Sequence, residues 1–209
     1  MITIYHLSTS RSERIVWLME ELGLEYRLES HQREASGAAP PAIKAIHALG
    51  KAPVIRDGDL VLAESGAIVD YIVHRYAQGR LALKPDDPAY ARYLYWLHFA
   101  EGSLMSLMLI ALVLSRVPEA AASPVTGRVR DRMKQMLSYV DAEIADGPWF
   151  AGAEFTAADV MMTFPFTTMR LFLDYELAPY ANIAAYVKRV EARPAYQRAM
   201  SLAGRPIEK

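Results

Sequence analysis

The dipeptide Asp57-Gly58 stands between two short apolar runs, Pro53-Val54-Ile55-Arg56 and Asp59-Leu60-Val61-Leu62. Glycine readily takes the positive φ that a tight hairpin turn needs, so two antiparallel strands are predicted here. Upstream, Ile2-Thr3-Ile4-Tyr5 is β-prone, and Ser8-Thr9-Ser10 leads into a helical pattern. Ile15, Val16, Leu18, Met19 and Leu22 share one face of that helix, with Gly23 as its stop. Glu25 to Glu29 alternates around Tyr26 and Leu28 like a half-buried strand. Gly37, Pro40 and Pro41 interrupt the next stretch, and a short helix is expected after Pro41. Beyond the hairpin, Ser65-Gly66 opens a helix with Ile68, Val69, Tyr71, Ile72 and Tyr76 at its apolar positions.

The resulting order, β-α-β-α-β-β-α, is that of the thioredoxin-like fold. Gln78-Gly79-Arg80 through Lys84-Pro85-Asp86-Asp87-Pro88 reads as a linker, and everything beyond it as helix. A long apolar helix is expected from Tyr90 to Val117 and another from Thr126 to Ala145. Thr156-Ala-Ala-Asp159 resembles a capping box with Asp in the usual Glu/Gln place, and Pro165 should interrupt the helix it starts. Shorter helices are expected over Ile183–Val190 and Ala195–Leu202. The expected division is an α/β domain over 1–80, a linker over 81–88 and an all-α domain over 89–209.

Hydrophobic residues make up 53% of the 209, enough to bury a sizeable core. The chain has no cysteine, which excludes disulfides, thiolate metal sites and a cysteine nucleophile of its own. Nine basic and ten acidic residues lie up to Arg80, and fourteen of each beyond it. Neither part has the basic excess of a nucleic-acid binder. The most apolar stretch, Gly102 to Ser115, lies between Glu101 and Arg116 and is shorter than the ~20 residues a membrane helix needs. It is expected to be a buried core helix. With no secretory pattern in Met-Ile-Thr-Ile-Tyr-His, a cytoplasmic location is expected.

Two motifs carry chemistry. In Leu49-Gly50-Lys51-Ala52-Pro53-Val54, Pro53 has two readings. One is an ordinary trans strand-entry proline. The other is a cis Ala52-Pro53 bond that lets the Val54 main chain meet an extended, peptide-like ligand. In Ala63-Glu64-Ser65-Gly66, Ser65 suits a helix N-cap. The same helix start would also bind a ligand carboxylate, while Glu64 would pair with an ammonium. One hairpin separates the two motifs, so their ends should lie together. A zwitterionic head group followed by a peptide bond fits both.

With these motifs, the chain resembles the soluble glutathione transferases. The likeness runs through the β-α-β-α-β-β-α segment, Gly50-Lys-Ala-Pro-Val54, Ala63-Glu-Ser-Gly-Ala-Ile68, the linker and Phe155-Thr-Ala-Ala-Asp159. Pro40 to Lys51 is similar to a bacterial and fungal group that usually has His-Pro-Leu-Gly-Lys where this chain has His47-Ala-Leu-Gly-Lys51. The resemblance implies a homodimer that uses glutathione as co-substrate and no metal. It also implies that the helical domain forms the electrophile pocket, while the charge balance and the short apolar stretch leave no role expected for nucleic acid or membrane. By resemblance, Ala52, Pro53, Val54, Glu64 and Ser65 bind glutathione, and Lys51 either pairs with its glycine carboxylate or is a solvated loop lysine. Glu101 resembles an acid that some members extend across the dimer to the ligand ammonium, though as a residue it reads rather as an acid serving its own helix.

A free thiol has a pKa of ~8.5, so little of it is thiolate at neutral pH. A donor or cation aimed at the sulfur lowers that value. In the family this group lies just after the first strand, where this chain offers Tyr5, Ser8, Thr9, Ser10, Arg11 and Ser12. Aligned from Arg14, Ser10 falls near the position of the catalytic serine in serine-type transferases. Ser10-Arg-Ser-Glu13 also fits a capping box. Thr9 comes next, Arg11 would help electrostatically, and Tyr5 is better suited to packing. The expected activity is conjugation of the glutathione thiolate to apolar electrophiles, with glutathione peroxidase as a side activity. The alternatives are a non-catalytic ligand-binding protein on the same fold and a glutathione-dependent isomerase. The isomerase motif is normally Ser-Ser-Cys, where this chain has Ser8-Thr9-Ser10.

Overall fold

The structure, a computed structural model, describes residues 1–204. It contains two compact units: Met1–Ala82 with the described residues from 191 to 204, and Leu83–Val190. The first departs from the expected division, because the last helix joins the α/β unit.

In the first unit, strands β1 (Ile2–Leu7), β2 (Tyr26–His31), β3 (Val54–Asp57) and β4 (Leu60–Ala63) form one sheet in the order β2-β1-β3-β4. β1 runs parallel to β2, with Ile2 opposite Tyr26, and antiparallel to β3, with Tyr5 opposite Val54. β3 and β4 form the Asp57-Gly58 hairpin, with Val54 opposite Ala63. Helix α1 (Glu13–Leu22) connects β1 to β2 and ends as expected at Gly23, whose φ is 64°. There the Leu24 N–H donates back to the Met19 carbonyl at 3.0 Å. Helices α2 (Pro41–Ile46) and α3 (Ser65–Tyr76) complete the expected order.

Side chains alternate along β1. Tyr5 packs with Ile43 of α2 and Val54 of β3. Ile4, its neighbour on the opposite face, is fully buried. Burying such a side chain contributes about 1.5–3 kcal/mol. The last helix, Pro194–Ala203, packs on α1. Tyr196 meets Trp17 edge-to-face at 5.0 Å, and Arg193 makes a two-pronged bond to Glu21 at 2.6 and 2.8 Å. These contacts span more than 170 positions, which is why local pattern gave no hint of them.

The helical unit begins with α4 (Tyr90–Phe99), a π-helical segment (Ala100–Met105) and α5 (Ser106–Ser115). The expected single helix therefore widens in its middle. The expectation of a buried core helix needs correction: α5 buries Met108, while Ile110 and Val113 are 51% and 62% exposed. The continuous Tyr90–Ser115 helix is long and apolar enough, by length and composition alone, to cross a membrane, and a third of its most apolar stretch is buried. After it come α6 (Pro124–Glu143), α7 (Ala157–Phe166) and α8 (Ala181–Glu191); the final helix is α9. Trp96, Phe150, Phe166 and Tyr186 form an aromatic core. Asp159 braces it: its carboxylate accepts from the N–H groups of Phe150 and Thr156 at 2.9 Å each and from the Thr156 hydroxyl at 3.2 Å. This is the expected capping arrangement. Pro165 lies one residue from the end of α7, and a 3-10 turn follows.

Candidate active site

In the first unit, the β3 entry, the start of α3 and the turn before α1 meet at a cleft. Its walls are Arg11, then His47, Leu49 and Lys51, then Ala52 and Pro53, and finally Ala63, Glu64 and Ser65. The hairpin explains this. β3 and β4 are only four residues each, so residues 51–53 and 63–65 leave the same end of the ladder.

The Ala52-Pro53 peptide bond is cis, the second of the two readings above. Val54 follows as the first residue of β3, fully buried between β1 and β4, and does not itself line the cleft. Ser65 is not the N-cap. Glu64 takes that place, and α3 starts at Ser65. Glu64 has φ +74°, a conformation that costs a non-glycine residue about 1–3 kcal/mol. Its carbonyl accepts the Ile68 N–H at 2.9 Å, so α3 is wound from its first residue. The N–H groups of Ser65, Gly66 and Ala67 then have no acceptor within the helix. Together with the helix dipole they favour an anion here. Arg11 and Lys51 add positive charge, and Glu64 adds one negative charge. The cleft thus suits a ligand bearing both signs with an excess of carboxylate.

The turn before α1 is ordered differently from the expected capping box. α1 begins at Glu13, with Ser12 in the N-cap position and no side-chain cap bond. The chain enters through i→i+3 bonds, from Glu13 N–H to the Ser10 carbonyl and from Arg14 N–H to that of Arg11, at 3.1 and 3.2 Å. Ser12 cannot cap because its hydroxyl is turned back to β1. There it accepts the Leu7 N–H at 3.1 Å and lies 2.8 Å from His6 Nδ1. Ser10 is 6% exposed, and its Oγ lies 2.8 Å from that of Ser12. Thr9 has φ +51°, and its hydroxyl donates to the Ser8 carbonyl at 2.7 Å. Arg33 holds this turn by donating to the Ser8 and Thr9 carbonyls, both at 3.2 Å.

The structure therefore gathers Lys51, Ala52, Pro53, Glu64, Ser65 and Arg11 around one cleft, with Thr9 and Ser10 adjoining Arg11. Tyr5 is 7% exposed in the sheet's apolar cluster and does not line it. Glu101 belongs to the helical unit, in the π-helical segment. Two features went unread in the sequence. His47 lines the cleft, its Nδ1 accepting the Leu49 N–H at 3.4 Å, and His6 stands behind Ser10 through Ser12. Their only signal was proximity to motifs already singled out. Among the described residues, no group of three His, Asp or Glu side chains is placed to hold a metal ion.

Residues 1–74 match the family model for the glutathione S-transferase N-terminal domain, and residues 104–194 that for the C-terminal domain. The chain belongs to the glutathione S-transferase family. Among curated relatives, glutathione S-transferase 3 of Schizosaccharomyces pombe is 35% identical, over 93% of this chain and 85% of the relative. Glutathione S-transferase GstB of Escherichia coli K12 is 27% identical, over 97% and 99%. A solved glutathione S-transferase from Actinobacillus pleuropneumoniae superposes with a TM-score of 0.89 at 36% identity, covering 100% of this chain and 95% of that one. A theta class enzyme from Xanthomonas axonopodis pv. citri, solved with glutathione bound, gives 0.75 at 27% identity, over 98% and 99%.

Proposed function

We propose that this transferase binds glutathione in the cleft of its α/β unit and conjugates the thiolate to apolar electrophiles. The observation that carries this reading is the meeting of a carboxylate-binding helix start, an acid and a strand entry at one cleft. The zwitterionic end of glutathione places its carboxylate at Ser65 and the α3 N-terminus, and its ammonium at Glu64. The cysteinyl main chain runs along Ala52, Pro53 and Val54. The glycine carboxylate lies toward Lys51, with His47 beside it. Glu101 is read as an ammonium contact reaching across a homodimer, as in the family resemblance. The exposed apolar side chains of α5 favour a partner of some kind.

The thiol loses its proton to solvent, and the thiolate accepts a hydrogen bond from Ser10. Ser10 is preferred to Thr9 because the Thr9 proton is engaged by the Ser8 carbonyl. Arg11 adds a favourable field. The sulfur then forms a bond to the electrophilic carbon, and the leaving group departs with its electron pair. With no cysteine in the chain, the nucleophilic sulfur is that of glutathione. Reduction of organic peroxides would use the same thiolate. We place this activity in the cytoplasm, the compartment that glutathione keeps reduced.

Conjugation of chlorodinitrobenzene tests the assignment in the wild type and in Ser10→Ala, Thr9→Ala and Tyr5→Phe. Removing a preorganised donor costs about 10²–10³ in rate. Ser10→Ala should fall by about that factor and keep most of its glutathione affinity, while the other two stay near wild type. An unchanged rate in Ser10→Ala removes the serine from its role. A wild type that binds glutathione without turnover makes the protein a ligand carrier.

A further inference from the structure

Behind Ser10, buried polar groups form a chain that ends on a histidine. His6 is 3% exposed, and its Nδ1 lies 2.8 Å from Ser12 Oγ. Ser12 Oγ lies 2.8 Å from Ser10 Oγ, and the Ser12 N–H donates to Ser10 Oγ at 3.3 Å. Ser12 Oγ also accepts the Leu7 N–H at 3.1 Å.

Counting protons restricts this chain to two states. A serine hydroxyl has one proton and room to accept two. Leu7 occupies one acceptor site on Ser12. One proton and one acceptor site remain for the two short contacts, to His6 and to Ser10. If His6 carries its proton on Nδ1, it donates to Ser12, and Ser12 donates to Ser10. Ser10 then accepts from both the O–H and the N–H of Ser12, and its own proton points out of the network. If His6 carries its proton on Nε2, Ser12 donates to Nδ1, and Ser10 must donate inward to Ser12. A thiolate beside Ser10 would then meet lone pairs only. Ser12 can instead turn its proton to the Leu7 carbonyl, but at 3.3 Å that contact is longer than either competitor. Burial, and secondarily the charge of His31, lower the His6 pKa to about 4. At pH 7 the ring is therefore neutral with a single N–H, and the two states exclude each other.

We propose that His6 is a positioning residue: donating from Nδ1 to Ser12, it turns the Ser10 hydroxyl outward to the glutathione sulfur. The proposal rests on Ser10 being the thiolate donor. His6 reaches no substrate atom itself. Arg33, by clamping the Ser8 and Thr9 carbonyls, keeps the turn in the geometry that the chain requires.

Two measurements test it. The first is ¹⁵N NMR of the histidine-labelled wild type, where the His6 ring should show the Nδ1–H tautomer, with and without glutathione. The second is the thiol pKa of bound glutathione, read from thiolate ultraviolet absorbance against pH, together with KM and kcat. The variants are Ser10→Ala, His6→Leu and His6→Asn. His6→Leu should move the bound thiol most of the way back to the free value of ~8.5. It should lower kcat by roughly 10-fold or more, with the KM for glutathione little changed. His6→Asn, whose amide can place an N–H where Nδ1–H stood, should restore both. A purely structural role would lower stability without this split or this rescue. An Nε2–H tautomer overturns the proposal even if His6→Leu does not fold. A normal thiol pKa in His6→Leu, beside a raised one in Ser10→Ala, overturns it while leaving the Ser10 assignment standing. A normal thiol pKa in Ser10→Ala removes the assignment and the proposal together.

Discussion

Each unit of this transferase buries a polar network at the start of a helix, and the two are built to opposite ends. In the helical unit, Asp159 of α7 takes bonds from the main chain of Phe150 and Thr156 and from the Thr156 hydroxyl, all inside its own core. A second set joins Thr163 and Tyr186 to the Asp159 carbonyl at 2.8 and 3.0 Å. That network is closed. In the α/β unit, the chain His6–Ser12–Ser10 starts deep in the sheet and ends beside the cleft. It is open at one end, as is the first turn of α3 next to it. Closed networks hold a fold together. Open ones leave hydrogen-bonding capacity pointing where a ligand can use it.

The comparison can be broken in four ways, from the largest expected effect to the smallest. Asp159→Ala leaves several buried donors without an acceptor and should cost about 3–5 kcal/mol in denaturant unfolding. A loss below about 1 kcal/mol would mean that the closed network is not a brace. Acid should expose the open network. His6 is held neutral in the folded state, with a pKa lowered from 6.5 to about 4 by burial and by His31. The unfolded chain therefore binds the extra proton first, and stability falls as pH drops from about 6.5 to about 4. The loss approaches about 3 kcal/mol, and His6→Asn should be insensitive over that window. Equal acid loss in the two proteins would remove His6 as its cause.

Ser65→Ala removes one donor from the start of α3 and should weaken glutathione binding about 10-fold, measured by calorimetry, with little change in kcat. Equal affinity for mutant and wild type would break the head-group assignment. Arg193→Ala cuts the bond between α9 and Glu21, of which Glu21 is the more buried partner. A loss of about 1 kcal/mol is expected, without any change in the bound thiol pKa. A shifted thiol pKa would show that α9 reaches the open network after all.

Much of the fold was legible. The Asp57-Gly58 hairpin, the Gly23 stop and the Thr156–Asp159 cap all depend on residues within a few positions of one another. The order of strands and helices follows from such signals. The cleft was half legible. Pro53, Glu64 and Ser65 announced it by residue type, and His47 did not, because its place in the cleft depends on a loop with no regular pattern. The start of α1 was misread by two residues. A serine followed three positions later by Glu looks like a cap, and only the proximity of β1 shows that Ser12 bonds backward to His6 and Leu7 instead.

By itself, the sequence determined the two-part architecture, the family, and the rule that the reactive sulfur must be borrowed, since none of its 209 residues is cysteine. These follow from composition and from short-range chemistry, which travel with the residues wherever the chain goes. The tertiary structure decided that α9 returns to α1, that α5 shows its apolar face, and that a histidine in the sheet meets Ser12 just before α1. Those outcomes depend on contacts between distant positions, and burial and hydrogen-bond partners are properties of such contacts rather than of any one segment.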